Sequence, residues 1–192
     1  MRRITAKWLK EQSLQAAFAV IMAAGGEARV AGGAVRNALM GEAGGDIDLA
    51  TTLPPQKIIE IFKAAGHSVY PTGIDHGTVT VVIGENTYEL TTLRKDVTTD
   101  GRHAVVSFTD DWREDALRRD FTMNALYCGA DGKIYDYTNG YEDILRNRII
   151  FVGVPAARIK EDSLRILRYF RFLSTYENLK PDKAGLSACV KL

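Results

Sequence analysis

A chain of 192 residues with 46% hydrophobic and 26% charged residues has apolar material for one good core, or for one domain plus an appendage, in the proportions of an ordinary soluble globular protein. The net charge of +1 does not mark a nucleic-acid binder by global electrostatics. No apolar run reaches membrane-spanning length, and Cys128 and Cys189 lie too far apart for a metal or redox motif, which reads as reduced thiols in a cytoplasmic protein with no membrane contact.

The first predicted element is an N-terminal packing helix, on which Trp8, Leu14, Phe18 and Ile21 recur at helical spacing. Arg2, Arg3 and Lys7 ahead of an apolar stretch imitate a signal peptide, but the polar residues among the apolar ones favour a helix closed by Gly25-Gly26. A short strand from Ala28 to Ala31 leads into Gly32-Gly33. A helix over Ala34–Met40 stops at Gly41, and a glycine-rich connector delivers a strand over Asp46–Ala50. Pro54-Pro55 opens a helix carrying Ile58, Ile59, Ile61 and Phe62, which ends at Gly66. Strands over Thr78–Ile83 and Tyr88–Thr92, joined by Gly84-Glu85-Asn86, read as a hairpin. Lys95 to Asp110 shows little periodicity and is expected to be a mobile polar loop. Trp112–Leu126 is expected to be one helix, Tyr127–Tyr137 a hairpin broken at Asp131-Gly132, Gly140–Asn147 a short helix or turn, and Arg148–Val152 a strand. From Pro155 onward the pattern is wholly helical, with Ile166, Leu167, Phe170 and Leu173 as an apolar stripe. Between Ile144 and Arg171 basic residues (Arg146, Arg148, Arg158, Lys160, Arg165, Arg168 and Arg171) outnumber Glu161 and Asp162, an excess suited to polyphosphate or RNA.

Two stretches carry chemistry. Gly32-Gly33 lets the backbone approach a bulky anion, and the helix that follows offers N–H groups at its N-terminus beside Arg36. The spacing is not that of a dinucleotide fingerprint. Downstream, Asp46 and Asp48 stand at i and i+2 of the expected strand, which predicts two carboxylates on one face. Carboxylates that close repel unless a cation lies between them, and hard oxygen donors suit Mg²⁺, which also takes oxygens from substrate phosphates. Alone, a Gly-Gly is ordinarily a turn and an Asp-x-Asp a solvated strand end. Together, in this order, they imply phosphoryl or nucleotidyl transfer.

The order strand, GGAVRN, helix, DIDLAT resembles the polymerase-β nucleotidyltransferase superfamily. Extended by YELTTLR, DVTTDGR, RRDFTMNALY and EDSLRILRYFRF, the match over roughly Arg29 to Leu173 resembles the bacterial class II tRNA nucleotidyltransferases, or CCA-adding enzymes, and their relatives the bacterial poly(A) polymerases. One position departs: the family has Asp after the arginine of the first motif, and this chain has Asn37. The resemblance implies an α/β catalytic head with a mixed sheet over residues 1–153, followed over 154–192 by the truncated start of an all-α neck. It implies template-independent addition of C and A to tRNA 3′ ends from CTP and ATP with Mg²⁺ on Asp46 and Asp48. Poly(A) polymerase activity and a nucleotide-binding module without polymerase activity remain alternatives. The oligomeric state stays open.

The resemblance also extends the set of site residues. It makes Glu89 a third carboxylate beside the aspartates, Arg119 a triphosphate ligand and Asp120 a ribose contact. It makes the segment around Asp100-Gly101-Arg102 the loop that helps switch from C to A. In register with the family's E-D-x-x-R motif, Asp162 and Arg165 would read the base, with Arg168 and Arg171 supporting the pocket or the phosphates. On an uninterrupted helix Asp162 and Arg165 would be i,i+3 neighbours.

Overall fold

The structure is a computed structural model and describes residues 2–100 and 103–192. A 3₁₀ turn over Lys7–Lys10 precedes α1 (Gln12–Ala23), whose Leu14, Ala17, Phe18 and Ile21 are buried on one face. Gly25 ends the helix at φ +79°, while the Gly26 N–H bonds the Ile21 carbonyl and the Gly25 N–H that of Met22, each at 3.0 Å. Then follow β1 (Ala28–Ala31), α2 (Gly33–Met40), β2 (Asp48–Thr51), α3 (Pro55–Ala64), β3 (Ser68–Gly73), β4 (Thr78–Ile83) and β5 (Asn86–Thr92). The order continues with β6 (Arg94–Asp100), β7 (His103–Phe108), α4 (Trp112–Leu117), β8 (Leu126–Cys128), β9 (Ile134–Asp136), α5 (Gly140–Leu145) and β10 (Arg148–Ile149). It ends with α6 (Pro155–Glu161), α7 (Leu164–Thr175), β11 (Lys180–Pro181) and α8 (Lys183–Lys191).

Seven strands form one mixed sheet in the order β3-β4-β5-β2-β1-β8-β9, as the α/β reading expects. β2 runs parallel to β5 and antiparallel to β1, so the centre of the sheet is where the two pairing modes meet. Val30, Leu49, Val79 and Leu90 cover one face against Leu14 and Ile21 of α1 and Ile58 and Phe62 of α3. On the other face lie Ala31 and Ala50, side chains too small to fill the space above the central strands, with Leu93, Trp112, Ala116 and Tyr127 beside them. A cavity opens there. The C-terminal helices share the main core, where Phe121, Phe151, Tyr169 and Phe172 meet edge-on, tilted or stacked. Both cysteines are buried and free, and no described helix is long and apolar enough to cross a membrane.

Four expectations change. The segment Lys95–Asp110 is largely a β6–β7 hairpin, with Asp96 opposite Val106 and Asp100 opposite His103; β-branched residues supply its strand character, and Gly101-Arg102 lie outside the described residues. The helix from Trp112 stops at Leu117, because Asp120-Phe121-Thr122 turns out to pair with Ile150-Phe151-Val152. There the Thr122 N–H bonds Ile150 and the Val152 N–H bonds Asp120, and burial of Phe121 outweighs continued helix. β3 was not expected, since its exposed edge position leaves no apolar alternation to read. Finally, α6 and α7 are separate helices and β11 pairs parallel with β10, so the region after Pro155 is not wholly helical.

Candidate active site

Asp48 opens β2 and stands directly opposite Glu89 of β5 in the parallel register. Both are exposed on the face that also carries Ala31, Ala50 and Thr91, and both line a cavity of about 710 Å³. Asp46 is placed differently from expectation. β1 ends at Ala31, whose ladder partner is Asp48, so no strand remains to pair Asp46 and it stays in the connector just before β2. Its charge still reaches Asp48. Partial desolvation among the cavity walls first, then Glu89 and then Asp46 push the Asp48 carboxyl up to about 6, against the pull of Arg119. Among the described residues no three Asp, Glu, His or Cys side chains converge as a metal cluster.

Across the cavity, Gly32 and Gly33 begin α2. Gly32 adopts φ +66°, and a Cβ there would sit 3.3 Å from Arg119 Nη1 and 3.4 Å from the Asn124 carbonyl oxygen. The conformation demands glycine, and a Cβ would also require the end of Arg119 to give by a few tenths of an ångström. Having no side chain, Gly32 cannot cap the helix, so the first N–H groups of α2 are left for another acceptor. Arg36, one turn on, is buried, and desolvation lowers its pKa. Its guanidinium donates to Asn37 Oδ1 from Nε (3.1 Å) and Nη2 (2.9 Å), and to Asn124 Oδ1 from Nη1, and it faces the rings of Phe172 and Tyr176.

Arg119 also reaches the cavity, held from behind by a buried carboxylate that the sequence reading did not single out. Asp115, 1% exposed, accepts from Arg119 Nη2 and Arg118 Nε at 2.9 Å each and from the Tyr127 hydroxyl at 2.6 Å. Burial alone would raise the Asp115 carboxyl, yet Arg119, Arg118 and Tyr127 hold it well below the usual carboxylate range. Burial likewise opposes, and Asp115 more than restores, the charge on Arg119. The i,i+3 and i,i+4 spacing of Asp115 to Arg118 and Arg119 was the available signal. Asp120 accepts from the Phe121 N–H and Asn124 Nδ2 on Oδ1, and from Arg168 on Oδ2 (Nε 2.7 Å, Nη2 2.6 Å). Its acceptor positions are thus occupied by protein.

Asp162, Arg165, Arg168 and Arg171 all line the same cavity. The expected i,i+3 pair of Asp162 and Arg165 does not form. Asp162 is extended (φ −155°, ψ 107°) and accepts from the Leu164 N–H, breaking the chain between α6 and α7 as a short polar side chain does at a helix start. Arg165 instead donates from Nη1 to Glu161 Oε2 at 2.8 Å and to the Arg158 carbonyl at 2.7 Å. Arg94 and Arg118 complete the positive wall; burial and then Arg118 push the Arg94 guanidinium down to about 10.

The chain as a whole is similar to known proteins. A family model described as "Poly A polymerase head domain" matches residues 28–150. The human "CCA tRNA nucleotidyltransferase 1, mitochondrial" is 54% identical over 147 residues, which are 76% of this chain and 34% of that protein. A Streptococcus suis "CCA-adding enzyme" is 41% identical over 159 residues, covering 82% of this chain and 38% of that one. The crystal structure of Bacillus stearothermophilus CCA-adding enzyme in complex with CTP superposes with a TM-score of 0.85 at 35% identity, over 94% of this chain and 42% of that one. A tRNA nucleotidyltransferase complexed with a primer tRNA and an incoming ATP analog gives a TM-score of 0.75 at 26% identity, over 91% of this chain and 49% of that one. The chain spans about a third of the length of the curated relatives it matches. With most of its sheet inside one family model and relatives this similar, the chain belongs to the poly A polymerase head domain family.

Proposed function

We propose that this chain is the nucleotidyltransferase head of a CCA-adding enzyme, which extends tRNA 3′ ends from CTP and ATP. The observation that carries the reading is the Asp48–Glu89 pair, in register on adjacent strands and facing Gly32, Gly33 and Arg36 across one cavity. The RNA 3′-hydroxyl oxygen gives up its proton to solvent and attacks the α-phosphorus, the bond from that phosphorus to the bridging oxygen breaks, and pyrophosphate leaves. Names of relatives that bind CTP, or a primer tRNA with an ATP analog, support the substrates.

Mg²⁺ fits the donor set. Asp48 and Glu89 present hard oxygens whose mutual repulsion a cation relieves, Asp46 adds its charge from the connector, and this ion needs only one or two carboxylates beside substrate phosphates and water. When bound it lowers the pKa of the attacking hydroxyl and neutralises charge developing on the phosphates. The remaining work falls to side chains. Arg36 and Arg119, with the N-terminal N–H groups of α2, bind the triphosphate. Asp120 holds Arg168 at the wall, and a ribose hydroxyl would have to displace one of its present donors. Asp162 keeps acceptor capacity beyond the bond from Leu164, and Arg165 has donors beyond those on Nη1. Together they suit cytosine and adenine, which each place an exocyclic amino group beside an acceptor nitrogen. Residues 154–192, helical apart from β11, are read as a segment that holds RNA, a reading supported by a family match that stops at residue 150.

The test offers tRNA lacking its 3′ end together with CTP alone, ATP alone, or both. Ordered C and then A incorporation supports the reading. A homopolymer from ATP alone assigns the poly(A) alternative, and nucleotide binding without transfer assigns a binding module.

A further inference from the structure

Nucleotidyl transfer divides the cavity into two sides, because the attacking and leaving oxygens lie roughly opposite each other across the phosphorus. Strand register tells the sides apart. β1 ends at Ala31 opposite Asp48 and passes straight into Gly32, whereas β2 and β5 run the other way, through Ala50 and Thr91, and β5 continues to Leu93 and Arg94. The row formed by Asp48 and Glu89 therefore lies between the start of α2 and Arg94. Gly32, Gly33 and Arg36 stand at the first end, with Arg119 Nη1 3.3 Å from a Cβ placed on Gly32. Towards the other end Thr91 pairs with Thr78, their hydroxyls bonded at 3.0 Å, and Arg94 lines the cavity beyond them.

Arg94 is short of acceptors. Among the described residues, Nη1 donates to the His76 carbonyl, while Nε is buried without a partner and Nη2 makes no hydrogen bond. The nearby Asp115 carboxylate is occupied by Arg118, Arg119 and Tyr127, and accepts only the backbone N–H of Arg94. Arg148 and Arg158 also bury an orphan Nε, yet each pairs with a carboxylate and neither lines this cavity. We infer that Arg94 holds the RNA end: its Nε–Nη2 edge receives the last phosphodiester of the 3′ terminus, on the side of Asp48 and Glu89 away from Gly32. This rests on the nucleotidyl-transfer reading of the cavity. With the polyphosphate on the α2 side, pyrophosphate leaves there, and the attacking hydroxyl comes from the side of Thr91 and Arg94. The planar fork of a guanidinium matches phosphate oxygens, and an anion on it would meet a donor that now has no partner. Burial and the neighbouring Arg118, which push Arg94 down to about 10, leave the same want of counter-charge. A phosphate contact also fixes position without reading sequence. That suits a site in which the terminal base changes from one addition to the next while the phosphodiester behind the hydroxyl keeps its place.

The experiment loads the full 192-residue chain with α,β-methylene-ATP and Mg²⁺, so that nothing is transferred, and adds the dinucleotide CpC or its uncharged methylphosphonate analogue. ¹⁵N spectra follow exchange of the Arg94 Nε–H, and titrations follow both affinities in wild type and Arg94→Gln. The Nε–H gains protection when CpC is added, but not with the nucleotide alone or with the methylphosphonate. Arg94→Gln keeps a donor for the His76 carbonyl without the charge. It binds CpC about tenfold more weakly, loses less affinity for the nucleotide, and no longer distinguishes CpC from the methylphosphonate. A merely structural Arg94 would not give that dependence on the charge of the linkage. Protection by the nucleotide alone, with nucleotide affinity falling more than CpC affinity in Arg94→Gln, overturns the inference. So does a wild type that binds both dinucleotides equally. Should Arg94→Gln fail to fold, the wild-type exchange and the comparison of the two dinucleotides still decide. A wild type that binds no nucleotide sinks the nucleotidyl-transfer reading and the inference together, whereas nucleotide binding without CpC protection at Arg94 sinks the inference alone.

Discussion

Two carboxylates in this head are tuned in opposite directions, and each sets a measurable outcome. Asp48, ionised beside Glu89 and Asp46, has its carboxyl raised from 3.8 to about 6. A raised carboxylate holds its proton longer in the folded chain than in the unfolded one, so its ionisation costs stability above about pH 6, a cost that fades as pH falls towards 4. Asp48→Asn should abolish nucleotide transfer. With a chelator present it should also gain under about 1 kcal/mol of stability at pH 7, after discounting for solvent screening, and nothing at pH 4. Denaturant melts at the two pH values check this; a loss of stability at pH 7 would refute the repulsion. Asp115 is the reverse case. Its folded carboxyl lies well below the usual range, so the stability it contributes is present above the unfolded pKa and is lost as pH falls through the acid range. Asp115→Asn should cost about 3 kcal/mol at pH 7, flatten the acid limb of the stability profile, and raise the KM for triphosphate by releasing Arg119.

At the scale of elements, the turn from β1 into α2 is the strictest geometry in the site. Gly32→Ala should cost about 1–3 kcal/mol for a left-handed backbone and displace Arg119, lowering triphosphate affinity more than stability alone explains. A thermal melt combined with an ATP titration tests it, and unchanged affinity would show that Arg119 does not need the glycine. This turn was legible because glycines, apolar strand and helix all lie within a few residues, as were α3 and the β4–β5 hairpin, whose patterns are local. Elements that answer to distant partners were not. Trp112–Leu126 has good helical residues, but Phe121 is drawn out of the helix by Phe151 and Tyr169, partners remote in sequence. Asp46 lost its strand position because β1 is only long enough to pair from Asp48 onward. Asp162-Ser163 broke one expected helix into two through a single side-chain bond to the Leu164 N–H. The site residues quoted from the motifs nevertheless gather, all but Asp46, along one cavity; Asp115, Asn124 and Arg94 escaped notice because their roles consist of holding other side chains or lining space from adjacent elements.

For the molecule as a whole, the distribution of charge matters more than its sum. Seven arginines and four carboxylates, a net +3, line the cavity of a chain whose net charge is only +1, so its remaining residues are together net negative. The basic excess read between Ile144 and Arg171 is largely turned inward or neutralised. Arg148 pairs with Asp143, Arg158 and Arg165 share Glu161, and Arg168 pairs with Asp120. Arg146, Lys160 and Arg171 are the exposed basic residues of that stretch without a salt-bridge partner among the described residues. An RNA backbone would therefore find about three phosphate contacts there, for a salt slope no steeper than about −2 to −3. A triphosphate entering the cavity meets several guanidiniums at once in a partly desolvated space, where each contact is worth more. This chain should accordingly bind ATP or CTP with Mg²⁺ at physiological salt, and bind tRNA weakly with a shallow dependence on ionic strength. Filter binding or fluorescence anisotropy across a salt series separates the outcomes. Tight tRNA binding with a steep slope would place the RNA on an exposed basic surface around α6 and α7, and would overturn an assignment in which the arginines serve the nucleotide first.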